Sequence, residues 1–536
     1  MENSELFARN SSGFVRGFSA LDVFIFNVLG YATGLSLATN PTILGGLYPN
    51  ADIFWVLGFG FFLSLCTGFV YGAFAAKFPR EGGDYVYIGR TLSPDLGFVA
   101  NWGFTWSQVY GAGVFSGWAI RDSLSPAFLT FGYTAQSKWL VDVGSFLAHK
   151  YSIFFGGLVV LLVCTAIALL GQRALRKVLR ILFLFAVLSS LLMIWPFCPE
   201  WISFPFCTAS HTKFVARFND FMQQATGASD AYNLILLRAE KEGLHLNQAS
   251  SWWEALKALP VGYLIFFGFT YSAYVGGEVQ RPERSQIIGI LSALSFALVF
   301  SLIGMGSYYE VVGRDFNNAV AITKGLSDSI LPAGGSMVFF SGVLIENPVV
   351  SFLMNFGSFL WFFLLPLVMI VLCVRNIFAW AMDRIVPERL TDVSAGNRPV
   401  IGTTVVTVCA AICLAADSLL GFPYVNYIAL FSVCFFFTGI AAAFFPSRRP
   451  ELFSSGPPLV NKLWLGKIPR ITVAGVLTAL MFAFILWSAL SNDAYSGVKA
   501  GYIPWLVLAV VYLSGWLVWG YARPDRKRLF ERIPPE

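Results

Sequence analysis

Residues 24–39 read FIFNVLGYATGLSLAT, and residues 263–278 read YLIFFGFTYSAYVGGE. Both stretches are apolar enough to belong to membrane-spanning helices, yet glycine and polar residues interrupt each of them. A spanning helix that breaks inside the bilayer frees backbone N–H and C=O groups, and such breaks occur where the helix lines a solute site. We therefore predict that the two stretches meet at a solute-binding site.

Composition fixes the class of protein. The chain has 536 residues, of which 57% are hydrophobic, 17% aromatic and only 12% charged, which excludes an ordinary soluble enzyme. Runs long enough to cross about 30 Å of hydrocarbon predict about twelve transmembrane helices. They lie at residues 18–39, 53–76, 96–120, 153–170, 181–197, 255–279, 287–309, 349–382, 401–414, 425–445, 471–490 and 502–521.

Basic residues predict the orientation of these spans. Most of the 36 lysines and arginines fall in the termini and in loops on one side, which the positive-inside rule assigns to the cytoplasm. Both termini are then cytoplasmic, as an even number of crossings requires. The net charge of +6 is spread over these inner loops, where it suits anionic lipid headgroups, so we predict no nucleic-acid partner. The first span lacks a signal-peptide cleavage pattern and is expected to be retained.

The loops carry little chemistry. Residues 199–253 are long enough for a small external cap, with an amphipathic helix at residues 231–244, and residues 317–331 also have a helical pattern. Cys198 and Cys207 lie on the outer side, where either a disulfide or two unpaired thiols fits the sequence. The three histidines are isolated, so we predict no metal site, no cofactor and no enzymatic activity.

The first interrupted stretch favours an anion. Gly30 and Gly34 each lower helix stability by about 1 kcal/mol, so the helix can unwind there. The N–H groups at the start of the outer half-helix, at its positive end, would suit a carboxylate. The alternative is that both glycines form a packing face against another helix.

The second interrupted stretch favours a cation. Its outer half-helix is expected to end near Phe266, which leaves carbonyl groups that would suit an ammonium group. A carboxylate pocket beside an ammonium pocket describes the backbone of an amino acid. The two breaks are equivalent if spans one to five and six to ten are repeats of opposite topology.

Three motifs carry a family resemblance. They are FPREGGDYVY at residues 78–87, GFT to GGEVQRPER at residues 268–284, and RN to AMDRIVP at residues 375–387. Together they resemble the amino acid–polyamine–organocation (APC) superfamily, amino acid permease branch, over about residues 18–446. The resemblance implies an all-α integral membrane protein with a LeuT-type fold, in which ten core helices form two inverted repeats, followed here by two more helices.

The implied organisation divides the chain into seven parts. They are a cytoplasmic N-terminus (1–17), the first repeat (18–197), an external cap (198–254), the second repeat (255–446), a cytoplasmic loop (447–470), two further spans (471–521) and a cytoplasmic C-terminus (522–536).

The resemblance also implies substrate-binding residues. In the first span these are Gly30, Tyr31, Ala32, Thr33, Gly34 and Ser36. In the sixth span they are Leu264, Ile265 and Phe267, whose carbonyls would face the substrate amine, with Gly268, Phe269 and Thr270. Two departures stand out: Ser36 occupies a place that usually holds glycine, and Thr270 occupies a place that is often acidic.

Ion coupling is left open by the sequence. Sodium-linked relatives use eighth-span hydroxyls, yet residues 349–382 offer only Ser351 and Ser358, and residues 181–197 lack the lysine of some proton-linked relatives. Exchange, uniport and proton coupling through a group such as Glu278 all stay open. Ionisable groups in spans are functional candidates, and Glu278 and Arg375 are predicted to form an inner gate or a structural ion pair, with Asp22 as a partner.

Aromatic residues could line an apolar side-chain pocket, although many will face lipid. The candidates are Trp106, Tyr110, Trp118, Phe269, Tyr271 and Tyr274. The sequence thus predicts a plasma-membrane permease that moves amino acids or related organic cations by alternating access, with a co-transported proton left open. The alternative is a sensor of the same fold that binds its solute without transporting it.

Overall fold

The protein is an all-helical membrane protein. The computed structural model describes residues 16–198, 210–326, 329–332, 334–392, 398–421, 427–464, 467–491 and 503–522. Within these ranges, nine helical segments are long and apolar enough to cross a membrane, and each coincides with a predicted span. The β-structure described there is one short antiparallel ribbon near the C-terminal end of the chain.

The first half contains predicted spans one to five. Its helices are α1 (Ala20–Tyr31), α2 (Thr33–Leu47), α3 (Ile53–Lys77), α4 (Asp84–Thr91), α5 (Pro94–Trp118), α6 (Ser125–Thr134), α7 (Lys138–Leu147), α8 (Lys150–Ala168) and α9 (Gln172–Ile194). A π-helical turn (Ala119–Leu124) follows α5, and a 3-10 turn (Trp195–Phe197) follows α9. Span one is the α1–α2 pair, and spans two to five are α3, α5, α8 and α9.

The remainder contains the cap and spans six to twelve. Its elements are α10 (His211–Thr226), α11 (Ala231–Lys241), α12 (Trp252–Lys257), α13 (Leu259–Leu264), 3-10 turns (Tyr271–Tyr274 and Gly276–Glu278), α14 (Pro282–Val312), α15 (Arg314–Thr323), α16 (Met337–Leu344), α17 (Pro348–Met382), a 3-10 turn (Glu388–Thr391), α18 (Val400–Ser418), α19 (Tyr427–Arg448), α20 (Pro450–Ser454), α21 (Pro458–Asn461), β1 (Leu463–Trp464), β2 (Ile468–Pro469), α22 (Arg470–Ser491) and α23 (Ile503–Tyr521). Spans seven to eleven are α14, α17, α18, α19 and α22.

Three predicted spans differ from a long apolar helix. Span three is α5, whose 25 residues include many polar and small ones, and span twelve is α23, whose apolar core covers only Trp505–Tyr521. Span six is α-helical only through α12 and α13, since no α-helix follows until Pro282. The inner half of the sixth span therefore consists of turns and 3-10 helix.

The loop predictions had mixed outcomes. The predicted amphipathic helix at residues 231–244 is confirmed as far as Lys241, where α11 ends. The helix predicted at residues 317–331 is wrong beyond Thr323, where α15 ends two residues before Gly325, a residue that does not favour continuation of a helix. Cys207 lies outside the described residues, and the division into two repeats stays a prediction.

Side-chain caps explain where several helices begin. The Asp52 carboxylate accepts hydrogen bonds from the backbone N–H groups of Phe54 and Trp55 at the start of α3. The Asn347 side chain accepts one from the N–H of Val349, and Pro348 occupies the first position of α17. Each cap satisfies N–H groups that have no partner within the helix.

Small residues allow the helices to approach one another closely. A Cβ atom on Gly60 of α3 would lie 2.2 Å from the carbonyl oxygen of Gly262 in α13, and one on Gly113 of α5 would lie 2.2 Å from that of Ala410 in α18. Such contacts are typical of membrane helix interfaces. The α1–α2 pair and α17 are the most buried of the nine candidate spans, so they form the centre of the bundle.

Candidate solute-binding site

The first break is confined to one residue. Between α1 and α2, Ala32 adopts a left-handed conformation with φ of 47°, and no side chain caps the start of α2. The N–H groups of the first turn of α2, from Thr33 to Leu35, have no partner within the helix and lie at its positive end. This break therefore presents hydrogen-bond donors, as the sequence predicted.

The second break is much longer. Helix α13 ends at Leu264, two residues before the predicted end at Phe266, and the chain then runs through turns to Pro282. Gly268 has φ of +104°, a conformation that favours glycine. Carbonyl groups at the end of α13 lie at the negative end of that helix. This break therefore presents hydrogen-bond acceptors.

The two breaks touch each other through their backbones. A Cβ atom on Gly268 would lie 2.3 Å from the carbonyl of Gly30, so only glycine fits there. The Asn27 side chain accepts a 2.8 Å hydrogen bond from the N–H of Ser272, and the Ser36 hydroxyl donates to the carbonyl of Ile265 at 3.2 Å. The backbones of the two breaks thus lie side by side, joined by hydrogen bonds in both directions.

A cavity of about 300 Å³ adjoins both breaks. It begins at Gly30 and follows one face of α2 to Leu47, the last residue of that helix. We call the end of the molecule where α2 ends the outer end, and the end where α1 begins the inner end. The cavity therefore extends from the breaks toward the outer end.

The wall of the cavity is mainly apolar. Its aromatic and aliphatic side chains include Phe115, Trp118, Leu264, Phe267, Leu365, Met369, Tyr427 and Ile428. Its polar side chains include Ser36, Thr39 and Asn40, all on α2. None of the described lining residues is Asp, Glu, Lys, Arg or His. Such a wall suits an uncharged, apolar group.

The predicted site residues divide into two groups. Gly30, Tyr31, Ser36, Leu264 and Phe267 line the cavity. The others are buried near the breaks but are not among its lining residues, namely Ala32, Thr33, Gly34, Ile265, Gly268, Phe269 and Thr270.

Some lining residues carried no sequence signal. Phe115 and Met369 lie in unbroken helices, α5 and α17, where no periodicity distinguishes a cavity wall from a helix interface. Among the aromatic candidates, Trp118 lines the cavity, whereas Trp106, Tyr110, Phe269, Tyr271 and Tyr274 are not among its lining residues. Only packing decides which aromatic side chain faces the cavity.

Trp361 of α17 explains the position of Gly34. Its indole N–H donates to the hydroxyl of Ser190 at 2.7 Å and lies 3.0 Å from the carbonyl of Ala186, both in α9. A Cβ atom on Gly34 would lie 2.2 Å from the indole ring. Trp361 therefore fills the space between the first, fifth and eighth spans beside the first break.

Ion pairs join several segments at the inner end. Glu278 and Arg375 form a salt bridge of 2.8 Å, and both side chains are buried. Gln172 donates to the other carboxylate oxygen of Glu278 at 2.9 Å, and the N–H groups of Gly17 and Phe18 donate to the Glu278 carbonyl. The chain before α1, the start of α9, the second break and α17 thus meet at one point.

Asp22 belongs to a separate ion pair. Its carboxylate accepts two hydrogen bonds from Arg180 of α9, at 2.7 and 2.8 Å, and caps its own helix through Ser19. Its basic partners are thus Arg180 and, at 3.8 Å, Arg176, both of α9, and not Arg375. Both carboxylates nevertheless tie the inner end of a broken span to its neighbours. Within the described part of the chain, no three His, Cys, Asp or Glu side chains cluster as metal ligands would.

Broken helices that meet beside a largely apolar cavity are typical of polytopic membrane proteins with a solute-binding site. Sequence comparison identifies the family: the amino acid permease profile matches residues 17–516, so the chain belongs to the amino acid permease family. The vacuolar cation-chloride cotransporter 1 of Saccharomyces cerevisiae is 23% identical over 278 residues, which are 47% of this chain and 24% of that relative.

A viral protein shows a shorter similarity. Uncharacterized protein 399 of Sulfolobus islandicus rod-shaped virus 1 is 33% identical over 85 residues, or 16% of this chain and 21% of that protein. The chain covers only about a quarter or less of the length of either relative.

Proposed function

We propose that the protein is a secondary transporter of the plasma membrane that carries amino acids with uncharged, apolar side chains by alternating access. The observation that carries this proposal is the cavity beside the breaks, which Leu35 in the first turn of α2 and Leu264 at the end of α13 line together with apolar side chains. The α-carboxylate would bind the start of α2, and the α-ammonium group would bind the carbonyls near Leu264 and Phe267.

The wall of the cavity supports the choice of side chain. A lysine, glutamate or polyamine would have to place its extra charge against apolar side chains without a described counter-charge in the lining. Burying an unpaired charge is costly. An aliphatic or aromatic side chain instead gains contact with Phe115, Met369 and their neighbours. The organic cations that the sequence left open are therefore the less favoured substrates.

The orientation follows from the basic inner loops. With both termini cytoplasmic, the cavity would face the outside and the Glu278–Arg375 pair would close the cytoplasmic side. Alternating access would then require that pair to separate as the outer end closes. In this proposal Glu278 and Arg375 form the inner gate, and Asp22 anchors α1 to α9.

Exchange in proteoliposomes tests the proposal. Vesicles preloaded with leucine should accumulate radiolabelled leucine and phenylalanine from outside, whereas lysine, glutamate and spermidine should compete weakly. Vesicles without the protein control for leakage. Exchange of none of these compounds, under imposed sodium or proton gradients as well, would contradict the transport assignment. Leucine binding to the purified protein without any exchange would indicate the sensor instead.

A further inference from the structure

Asp84 is a buried carboxyl group that has no basic partner among the residues the structure describes. It is the first residue of α4, in the connection between the second and third spans, and its side chain is 0% exposed. The other carboxylates that close the inner end, Glu278 and Asp22, each pair with an arginine. Asp84 therefore differs from both in what compensates its charge.

Hydroxyl groups surround this carboxyl group. The hydroxyls of Tyr71 and Tyr274 donate to its two oxygens, one to each, and the hydroxyl of Thr438 lies 2.8 Å from the first of these. The titratable groups that face it from the packed elements are Tyr71, Tyr87, Tyr263, Tyr274 and Cys434. All of these are uncharged at neutral pH in their ordinary state.

The surrounding groups can accommodate both protonation states. Three hydroxyl donors can stabilise a carboxylate. The Thr438 hydroxyl also lies 3.0 Å from the carbonyl of Cys434 in its own helix, and its single hydrogen can serve only one of these acceptors. When that hydrogen points to Cys434, a proton on Asp84 can be donated to the Thr438 oxygen. A proton can therefore bind or leave without a loss of hydrogen-bond partners.

The carboxyl group joins elements that belong to different parts of the bundle. Tyr71 lies on α3, Thr438 on α19, and Tyr274 on the irregular part of the sixth span, where its ring stacks on Phe104 of α5 at 4.8 Å. The loop that ends in Asp84 is itself bound to the sixth span, since the N–H of Gly82 donates to the carbonyl of Tyr274. If the inner end opened by moving the sixth span away from α19, the hydroxyls of Tyr274 and Thr438 could no longer both contact Asp84.

We propose that Asp84 is the proton-binding site of the transport cycle, protonated while the inner end is closed and deprotonated when that end opens. This inference rests on the proposed transport function and adds to that function the group that binds the proton. The sequence analysis left this role open and named Glu278 as one example. Glu278 is less suited, because its charge is already compensated by Arg375.

The direction of the effect follows from burial. Removal from water raises the pKa of the Asp84 carboxyl group, and the hydroxyl donors oppose that rise without cancelling it. When the inner end opens and water enters, the pKa falls back toward its ordinary value. The proton thus stabilises the closed state at low pH, and this contribution is lost as the pH rises through the closed-state pKa.

The test is the pH profile of leucine exchange by the full-length protein in proteoliposomes, with equal pH on both sides. In the wild type, the exchange rate should rise with pH, because deprotonation allows the inner end to open. Asp84→Asn, which stays neutral, should exchange more slowly and with a flat profile. Asp95→Asn, at the partly exposed start of α5, is the matched control and should keep the wild-type profile.

Thr438→Val provides a second test if Asp84→Asn does not fold. Loss of a donor to the carboxylate favours the protonated form, so the midpoint of the profile should move to higher pH, by roughly one unit for a tenfold gain in proton affinity. A wild-type profile in Asp84→Asn, or an unmoved midpoint in Thr438→Val, would overturn the proposal. Absence of exchange in the wild type at every pH would instead contradict the transport function.

Discussion

The first and sixth spans are both interrupted, but the two interruptions differ in length and in what they pack against. The first break consists of one residue, Ala32, which separates α1 from α2. The second break leaves the chain without α-helix from residue 265 to residue 281. Gly34, just after the first break, packs against the side chain of Trp361, whereas Gly268, in the second, packs against the backbone of Gly30. A neighbouring side chain can move or be replaced to make room for a substitution, but a neighbouring backbone cannot.

Gly268→Leu is expected to have the largest effect. A side chain there would meet the Gly30 carbonyl at 2.3 Å and would have to adopt φ of +104°. Backbone strain and overpacking together cost ~3 kcal/mol or more. Leucine binding to the purified protein should be lost, while membrane insertion should persist. Unchanged affinity would remove this glycine from the site.

Gly34→Leu should also abolish leucine binding, because the new side chain would meet the indole of Trp361 at 2.2 Å. Here the obstacle is a side chain, so a second substitution can remove it. Trp361→Ala should restore much of the binding in the Gly34→Leu background and none in the Gly268→Leu background. Leucine affinity is measured by equilibrium binding. If Trp361→Ala restored binding equally in both glycine variants, the contrast between a side-chain neighbour at Gly34 and a backbone neighbour at Gly268 would be wrong.

Glu278→Gln and Asp22→Asn compare the anchors of the two spans. Arg375 is 6% exposed, so Glu278→Gln breaks an ion pair that is removed from water, at a cost of about 3 kcal/mol in the free energy of unfolding. Arg180 is 46% exposed, so water can replace Asp22, at a cost of about 1 kcal/mol or less. Thermal unfolding in detergent should rank the variants in this order, and the reverse order would contradict it.

Asn27→Ala and Ser36→Ala should reduce leucine affinity less than the two glycine substitutions do. Asn27 accepts from a buried N–H of the second break, which loses its partner in the variant and costs about 1–3 kcal/mol. The hydroxyl of Ser36 donates over 3.2 Å to a carbonyl, and its loss should cost about 1 kcal/mol. Leucine affinity should fall more in Asn27→Ala. Equal losses would show that the second break is not held by Asn27.

Much of the fold was predictable because its signals are local. Hydropathy marks each of the nine long spans, and glycine together with polar residues marks both breaks in the chain itself. The inner half of the sixth span was harder, since an apolar stretch of suitable length does not reveal that it forms 3-10 turns. The helix predicted as far as residue 331 failed for a similar reason, because its pattern continued beyond the point where α15 ends.

The candidate site was predictable only in part. Gly30, Ser36 and Leu264 could be named from the breaks, but Met369 could not, because it lies in a continuous apolar helix. In the sequence, Asp84 was noted only as part of the family motif at residues 78–87, and no role was predicted for it. Its partner Thr438 is more than three hundred residues away, and no local pattern links the two.

The sequence by itself determined that the chain spans the membrane many times and where two of its helices come apart, because hydrophobic length and helix propensity are properties of neighbouring residues. The tertiary structure alone decided that Trp361 packs on Gly34, that Asp22 pairs with Arg180 and that hydroxyls enclose Asp84. These contacts join distant segments, and their energies depend on burial and distance, which exist only once the helices have packed.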